Sequence, residues 1–163
     1  MMTLKQYLTE YGKSHRNPTN QKIHFVCVPA ILISTLALGW LVNLQLLGVD
    51  AAWARWVNLA TVGSLLTVPF YLRMGARAYL AMGGFFVLAI ACILAIEASG
   101  LPLWAVAATV WVAAWAVQLI GHNIEGAKPS FADDMKFLLI GPLFVLDELG
   151  VNLHSPGHTK LAA

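Results

Sequence analysis

The chain has 163 residues, of which 59% are hydrophobic and only 11% are charged, and its formal net charge is +2. With a mean hydropathy of +0.71, this composition excludes an ordinary soluble domain and predicts a polytopic membrane protein. We expect one all-α integral membrane domain over residues 1–163. The lipid bilayer is its expected partner, and no binding to nucleic acid is expected. Residues 1–22 are polar, so no cleavable signal peptide is predicted.

The first predicted element is a short amphipathic helix within residues 3–14. Leu4, Tyr7, Leu8 and Tyr11 recur at positions i, i+3, i+4 and i+7, which is the spacing of one apolar helix face. We expect this helix to lie along the membrane interface as an anchor, rather than to cover bound lipid as a lid.

Four uncharged apolar runs follow, and each approaches or exceeds the roughly 20 residues that cross a bilayer core. They predict transmembrane helices over residues 25–47, 56–72, 79–96 and 101–121. Small residues allow membrane helices to approach closely. The glycines expected to serve this purpose are Gly63, Gly75, Gly83 and Gly84.

Basic residues are distributed unevenly about these spans. Of the ten Lys and Arg residues, only Arg55 lies on one predicted side, and the other nine lie on the opposite side. The positive-inside rule therefore predicts that both termini are cytoplasmic. A bacterial inner membrane is favoured by the small size of the chain, and an endoplasmic-reticulum membrane is expected if the protein is eukaryotic.

Residues 131–149 predict a C-terminal interfacial or re-entrant helical segment, because Gly141 and Pro142 interrupt its apolar run. Residues 150–163 form a polar tail. The two cysteines, Cys27 and Cys92, lie in apolar runs and are expected to be buried and unbridged.

The polar stretch HRNPTNQKIH, from His15 to His24, directly precedes the first span. Asn17 followed by Pro18 predicts a helix start, with asparagine as the N-cap and proline at the first helical position. Asn20 and His24 are four residues apart and so share a helix face. His15, just before the helix, is able to fold back toward that face.

A second polar stretch ends the fourth span. His122 and Glu125 are three residues apart on what is predicted to be the last helical turn, before Gly126 and Pro129 end the helix. Because the two helix ends lie at the same predicted depth, their histidines can converge on one metal ion. Imidazole suits Zn, Cu, Fe and Ni. A histidine at a membrane interface is also often only a polar group that reaches water, and spacing alone leaves that interpretation open.

Three stretches of the chain carry a resemblance: HRNPTNQKIHFVCVP, QLIGHNIEGAKPSF and FLLIGPLFVLDEL. They are similar to the signatures of the small membrane family of 2-hydroxy fatty acid dioxygenases, which contains the fungal endoplasmic-reticulum enzyme of phytosphingosine breakdown and its bacterial homologues. The resemblance covers both ends of the chain and the span count, and the middle spans match only as apolar sequence. Glu125 follows His122 by three positions, where the fungal form has four.

The resemblance implies an Fe(II)-dependent α-oxidation with one iron per chain and O2 as co-substrate. A 2-hydroxy fatty acid is converted to the fatty acid one carbon shorter plus CO2, with its acyl tail between the spans or under residues 131–149. The implied iron ligands are His15, His24 and His122. The implied catalytic residues are Asn20 and Glu125, and the side chains expected to attract the substrate carboxylate are Arg16 and Lys128. Candidates for a fourth ligand are Glu125, Glu148, His154 and His158.

Two other classes of function stay open at this point. A zinc-dependent membrane lipid hydrolase would use the same ligands with Glu125 as general base. A non-enzymatic lipid-binding or scaffold protein would keep the spans and need no metal. Five histidines are too few for the clustered boxes of a two-iron desaturase. The oligomeric state and the preferred chain length are not predicted.

Overall fold

The computed structural model describes residues 2–45, 48, 50, 52–126, 128 and 136–153. Within these residues the chain is all-helical, and the only strand-like pairing is an isolated bridge between Asn43 and Asn58. The predicted all-α class is therefore confirmed. The six helices are α1 (Leu4–Lys13), α2 (Pro18–Trp40), α3 (Leu59–Met74), α4 (Ala76–Ala98), α5 (Leu103–Glu125) and α6 (Lys136–Glu148).

Three of these helices, α2, α4 and α5, are each 23 residues long and apolar enough to cross a membrane. The chain is thus a membrane protein by the length and composition of its helices. The α3 helix is also apolar but has 16 residues, so it is about 24 Å long, against roughly 30 Å for a bilayer core. The fourth predicted span therefore remains a prediction.

The first span begins where the sequence predicts and ends earlier. The Asn17 side chain accepts a hydrogen bond from the Thr19 N–H at 2.8 Å and caps α2, whose first residue is Pro18. The helix ends at Trp40, so the predicted span 25–47 extends too far. Just beyond Trp40 the Val42 carbonyl accepts from the Leu59 N–H at 2.9 Å. The chain therefore turns to meet the start of α3, although the residues there are still apolar.

The amphipathic helix α1 forms as predicted, but its apolar face is covered by protein rather than by lipid. Leu4, Tyr7, Leu8 and Tyr11 are all buried. They belong to one core cluster with residues of α3, α4 and α6. The prediction that this face anchors α1 in the membrane interface was therefore wrong. The spacing of apolar residues predicts an apolar helix face but does not identify what covers it.

The helix α6 runs through Gly141 and Pro142 without a break, so the predicted interruption is absent. Residues 140–145 of this helix are all buried. The Tyr71 hydroxyl of α3 donates to the Leu139 carbonyl at 3.0 Å and joins α6 to the bundle. Residues 131–135 of the predicted segment and residues 154–163 of the predicted tail lie outside the described residues.

The most extensive helix pair is α2 with α5, and the two helices leave little space beside Gly121. A Cβ added at Gly121 would lie 2.5 Å from Asn20 Oδ1. By contrast, a Cβ at any of the four predicted glycines would meet no atom within 4 Å in the described part of the chain. That expectation was wrong, because sequence does not fix which way each helix face is turned. Cys27 and Cys92 are free, as predicted.

The pairing of α2 and α5 brings the N-terminus of α2 and the C-terminus of α5 to the same end of the bundle. Near the other end of α5, Arg55 forms a 2.7 Å salt bridge with Glu97, close to the C-terminus of α4. The stretch from His15 to His24 and the helix end that carries His122 and Glu125 therefore meet at the end of the bundle away from Arg55.

Candidate metal centre

Three histidines from distant parts of the sequence meet at this end of the bundle. His15 lies between α1 and α2, His24 lies two turns into α2, and His122 lies on the last turn of α5. Each offers a ring nitrogen, and the three nitrogens lie within 4.8 Å of one another. The side chains are 1%, 0% and 5% exposed, respectively. Three adjoining imidazoles excluded from solvent are a donor set suited to a transition metal.

The hydrogen bonds of two of these rings fix their protonation. His15 Nδ1 lies 2.6 Å from the Tyr11 carbonyl, and His24 Nδ1 lies 2.9 Å from the Asn20 carbonyl. Because a carbonyl oxygen only accepts, each Nδ1 carries the hydrogen and donates it. In neutral rings both Nε2 atoms are then unprotonated, and they lie 2.8 Å apart. Two lone pairs at this distance repel each other unless a shared proton or a metal ion lies between or beside them.

The electrostatics of His15 favour the neutral ring that a metal requires. Burial lowers the pKa of His15 from 6.5 to about 4, and the hydrogen bond to the Tyr11 carbonyl opposes this only in part. The neighbouring His122 lowers the pKa further, while Glu125 raises it. His15 is therefore neutral near pH 7 and is able to coordinate a metal without first losing a proton.

Glu125 fastens the end of α5 to the start of α2. One carboxylate oxygen accepts from the Arg16 N–H at 2.8 Å. The other accepts from the Asn17 N–H at 2.9 Å and from Asn20 Nδ2 at 3.1 Å. A carboxylate is favourable at a helix N-terminus, where backbone N–H groups lack helical partners. Both oxygens of Glu125 are thus engaged in holding the backbone that carries His15.

Asn20 connects this carboxylate to the histidines. It is fully buried, its Nδ2 donates to Glu125, and its backbone carbonyl orients His24. Its Oδ1 accepts no hydrogen bond within the described part of the chain and lies against Gly121. Gln21, which the sequence analysis did not single out, donates from Nε2 to the His15 carbonyl at 2.8 Å. The only hint in the sequence was the position of Gln21, one helical turn after the Asn17 cap and therefore close to the segment that carries His15.

Aromatic rings from α1 and α6 pack against the cluster. Tyr11 stacks on His15 with ring centroids 4.2 Å apart and planes at 2°. Phe144 packs on the same imidazole at 5.5 Å. These contacts bury His15 and restrict its orientation. Nothing in the spacing of α1 pointed to a role beside the histidines, because Tyr11 occupies an ordinary position on an amphipathic face.

Three other predicted site residues, Arg16, Lys128 and Glu148, are not part of the buried cluster. Arg16 and Lys128 are exposed, and Arg16 contributes its backbone N–H rather than its charge to the contact with Glu125. Glu148, the last residue of α6, is also exposed. His154 and His158 lie outside the described residues. Among the described residues, the metal-ligating group consists of the three histidines.

These residues fit a metal ion. They supply three nitrogens, and the rings of His15 and His24 are held by backbone carbonyls in the tautomer that leaves Nε2 available. A ligating histidine usually donates its other N–H in this way. Three neutral donors also leave the charge of a divalent cation uncompensated, so the donor set favours an anionic exogenous ligand.

Comparison with known proteins identifies a family. A family model described as 2-hydroxy-palmitic acid dioxygenase Mpo1-like matches residues 1–153. The matched region includes both histidine stretches and the whole of α6. Searches of curated proteins and of solved structures found no match.

Proposed function

Because the chain belongs to the 2-hydroxy-palmitic acid dioxygenase Mpo1-like family, we propose that it is an Fe(II)-dependent dioxygenase of 2-hydroxy fatty acids. The reaction converts R–CHOH–COOH and O2 to R–COOH, CO2 and water. The bond between C1 and C2 breaks, the substrate loses four electrons, and O2 accepts them. The observation that carries the proposal is the 2.8 Å separation of the His15 and His24 Nε2 atoms, with both Nδ1 atoms donating to carbonyls.

His15, His24 and His122 would hold the iron. When bound, Fe(II) supplies open coordination positions for the substrate and for O2 activation. The chain offers three neutral nitrogens, so a substrate carboxylate compensates the positive charge, and its 2-hydroxyl provides a second oxygen nearby. This requirement for an anionic, chelating substrate agrees with a 2-hydroxy acid.

We assign Glu125 and Asn20 positioning roles within this function. Both oxygens of Glu125 accept from N–H groups of the segment that follows His15, which keeps that histidine at a fixed distance from His122. Asn20 orients His24 through its carbonyl. Tyr11 and Phe144 exclude water from His15 through their ring contacts. Arg16 and Lys128 are exposed cations that attract the substrate carboxylate toward this end of the bundle.

The hydrogen bonds of Glu125 also weigh against the zinc hydrolase alternative. A general base must lie close to a metal-bound water, whereas both oxygens of Glu125 contact N–H groups of the segment that follows His15. A scaffold without a metal would have no use for two buried imidazole lone pairs 2.8 Å apart, because the cost of their repulsion would lower its stability.

We further propose one membrane domain with four spans, in which the apolar α3 is the fourth. Its short length is accommodated by local thinning of the bilayer or by its flanking residues. Both termini are assigned to the cytoplasmic side on the distribution of basic residues. The metal centre then lies at the cytoplasmic surface, where the polar head of a fatty acid resides.

The direct test is anaerobic reconstitution of the purified protein with Fe(II), followed by oxygen consumption with 2-hydroxy fatty acids of several lengths. We expect one O2 consumed for each shortened fatty acid detected by mass spectrometry. Unsubstituted fatty acids of the same lengths serve as control substrates, and His24→Ala as the control protein. Iron-loaded protein that consumes no O2 with any 2-hydroxy acid would contradict the proposal.

A further inference from the structure

A cavity of about 390 Å³ lies between α2, α5 and α6. This volume falls within the range of small-molecule pockets. Its wall is mostly apolar and includes Tyr11, Leu32, Trp115 and Phe137. At its edge Trp111 and Leu138 are 37% and 39% exposed. Because Trp111 lies on α5, which is apolar enough to cross a membrane, a hydrocarbon chain can enter the cavity sideways from the bilayer.

One buried polar group on this wall has an unused hydrogen-bonding atom. Gln118 is 5% exposed, and its Oε1 accepts no hydrogen bond within the described residues. An unsatisfied buried acceptor is costly, so it is expected to have a partner that the described residues do not supply, such as a water or a ligand. Thr35, another polar residue on the wall, differs in this respect because its Oγ1 accepts from Trp111 Nε1 at 3.1 Å.

A shared helix face and one ring contact connect the cavity to the metal centre. Gln118 and His122 are four residues apart on α5, so they lie on the same face with Cβ atoms about 6 Å apart. Tyr11 lines the cavity and also stacks on His15. The polar end of the cavity therefore adjoins the histidines, and its apolar remainder extends away from them along α2 and α5.

We propose that this cavity is the acyl-chain subsite and that Gln118 Oε1 accepts a hydrogen bond from the 2-hydroxyl of the substrate. This inference rests on the proposed function, whose substrate has an apolar chain and a hydroxyl beside its carboxylate. The hydroxyl gives the buried acceptor its missing donor. Gln118 is thus a positioning residue that distinguishes 2-hydroxy acids from unsubstituted acids, since an acid without the hydroxyl leaves Oε1 unsatisfied.

The position of the chain is tested by photo-cross-linking on the iron-loaded protein in lipid nanodiscs. The probe is a 2-hydroxy fatty acid with a diazirine in the middle of its chain. We expect labelled peptides at Leu32, Trp115 and Phe137, with labelling abolished by excess unlabelled 2-hydroxy acid. An internal comparison is the outer groove of the same helix pair, which is lined by Ile23, Val26 and Val117. Competable labelling in that groove, or none at the cavity, would overturn the location.

The role of Gln118 is tested with Gln118→Met, which keeps the length of the side chain and removes the acceptor. The measured quantity is the ratio of the Kd for the unsubstituted acid to the Kd for the 2-hydroxy acid of equal length. We expect this ratio to fall roughly tenfold to a hundredfold, with metal content unchanged. Thr35→Val is the matched control from the same wall, and it should shift both affinities by the same factor. An unchanged ratio in Gln118→Met and Gln118→Leu would refute the assignment.

The two proposals fail in different ways. Protein that binds the probe in the cavity but consumes no O2 would remove the dioxygenase reaction and leave the subsite standing. Protein that shortens 2-hydroxy acids while the probe labels another surface would remove the subsite and leave the reaction standing.

Discussion

Asn20 Oδ1 lies directly against Gly121, so close that a Cβ on Gly121 would be 2.5 Å from it. Real Cβ atoms do not approach other atoms so closely. The space beside Gly121 is therefore too small for a side chain unless the helices separate or Asn20, whose Nδ2 donates to Glu125, turns away. We predict that Gly121→Ala separates the two helices and weakens metal binding at least tenfold, because ligand positions tolerate errors of only a few tenths of an ångström.

The measurement for Gly121→Ala is metal content per chain and metal affinity, alongside helicity. Gly83→Ala is the matched control, because a Cβ at Gly83 meets no described atom within 4 Å and alanine favours a helix. Equal metal affinity in the two variants would show that the close approach at Gly121 does not set the site.

Glu125→Gln is predicted to lower stability and metal affinity together. The amide nitrogen of glutamine cannot accept from the Arg16 or Asn17 N–H, so one of these backbone donors loses its partner. The expected loss is about 1–3 kcal/mol in the free energy of unfolding. Thermal unfolding and metal titration measure the two effects, with Glu10→Gln on the exposed face of α1 as control. A loss of activity with unchanged stability and metal affinity would instead indicate direct participation of Glu125 in the chemistry.

Metal removal is predicted to destabilise the wild-type protein. A ligand that binds only the folded state at 100 times its Kd contributes about 2.7 kcal/mol, so a chelator should lower the melting temperature and Fe(II) should restore it. His24→Ala should show neither change. The same titration on Glu148→Ala, His154→Ala and His158→Ala tests the remaining candidates for a fourth ligand outside the buried cluster, and a loss of affinity in any of them would add a protein ligand.

The metal-free protein is predicted to lose stability as the pH falls from about 6.5 toward 4. Over this range the unfolded chain protonates His15 at its ordinary pKa of 6.5, while burial holds the pKa in the folded protein at about 4. The unfolded state therefore binds more protons, and stability decreases with decreasing pH. His15→Asn should reduce this dependence when melting temperatures are compared across the range. The groups facing His15 are His24, His122 and Glu125, and an identical pH dependence in His15→Asn would assign the effect to them.

Tyr11 is predicted to matter through its ring rather than its hydroxyl. Tyr11→Ala removes a buried ring that stacks on His15 at 4.2 Å, and buried aromatic-to-alanine changes cost about 3–5 kcal/mol. Tyr11→Phe keeps the stacking and should cost less than about 1 kcal/mol. Thermal unfolding compares the two variants, and metal affinity should follow the same order. A larger loss in Tyr11→Phe would point to the hydroxyl instead.

Sequence reasoning predicted the features that local chemistry specifies. Asn17 and Pro18 mark a helix start regardless of what surrounds them, and the placement of His24 and His122 on two helix ends follows from helix geometry. Sequence reasoning did not predict contacts between elements. The apolar face of α1 carries the same pattern whether lipid or α6 covers it, and Gly121 is distinguishable from Gly83 only once the rotation of each helix is known.

The site also has a consequence for biosynthesis. His15 and His24 are translated and inserted with α2, whereas His122 arrives only after α3, α4 and nearly all of α5 have been made. The nascent chain therefore carries two of the three donors through most of its insertion without the third. If the three histidines bind a metal as proposed, the complete donor set exists only once α5 has packed against α2, so metal loading would be a late event in assembly.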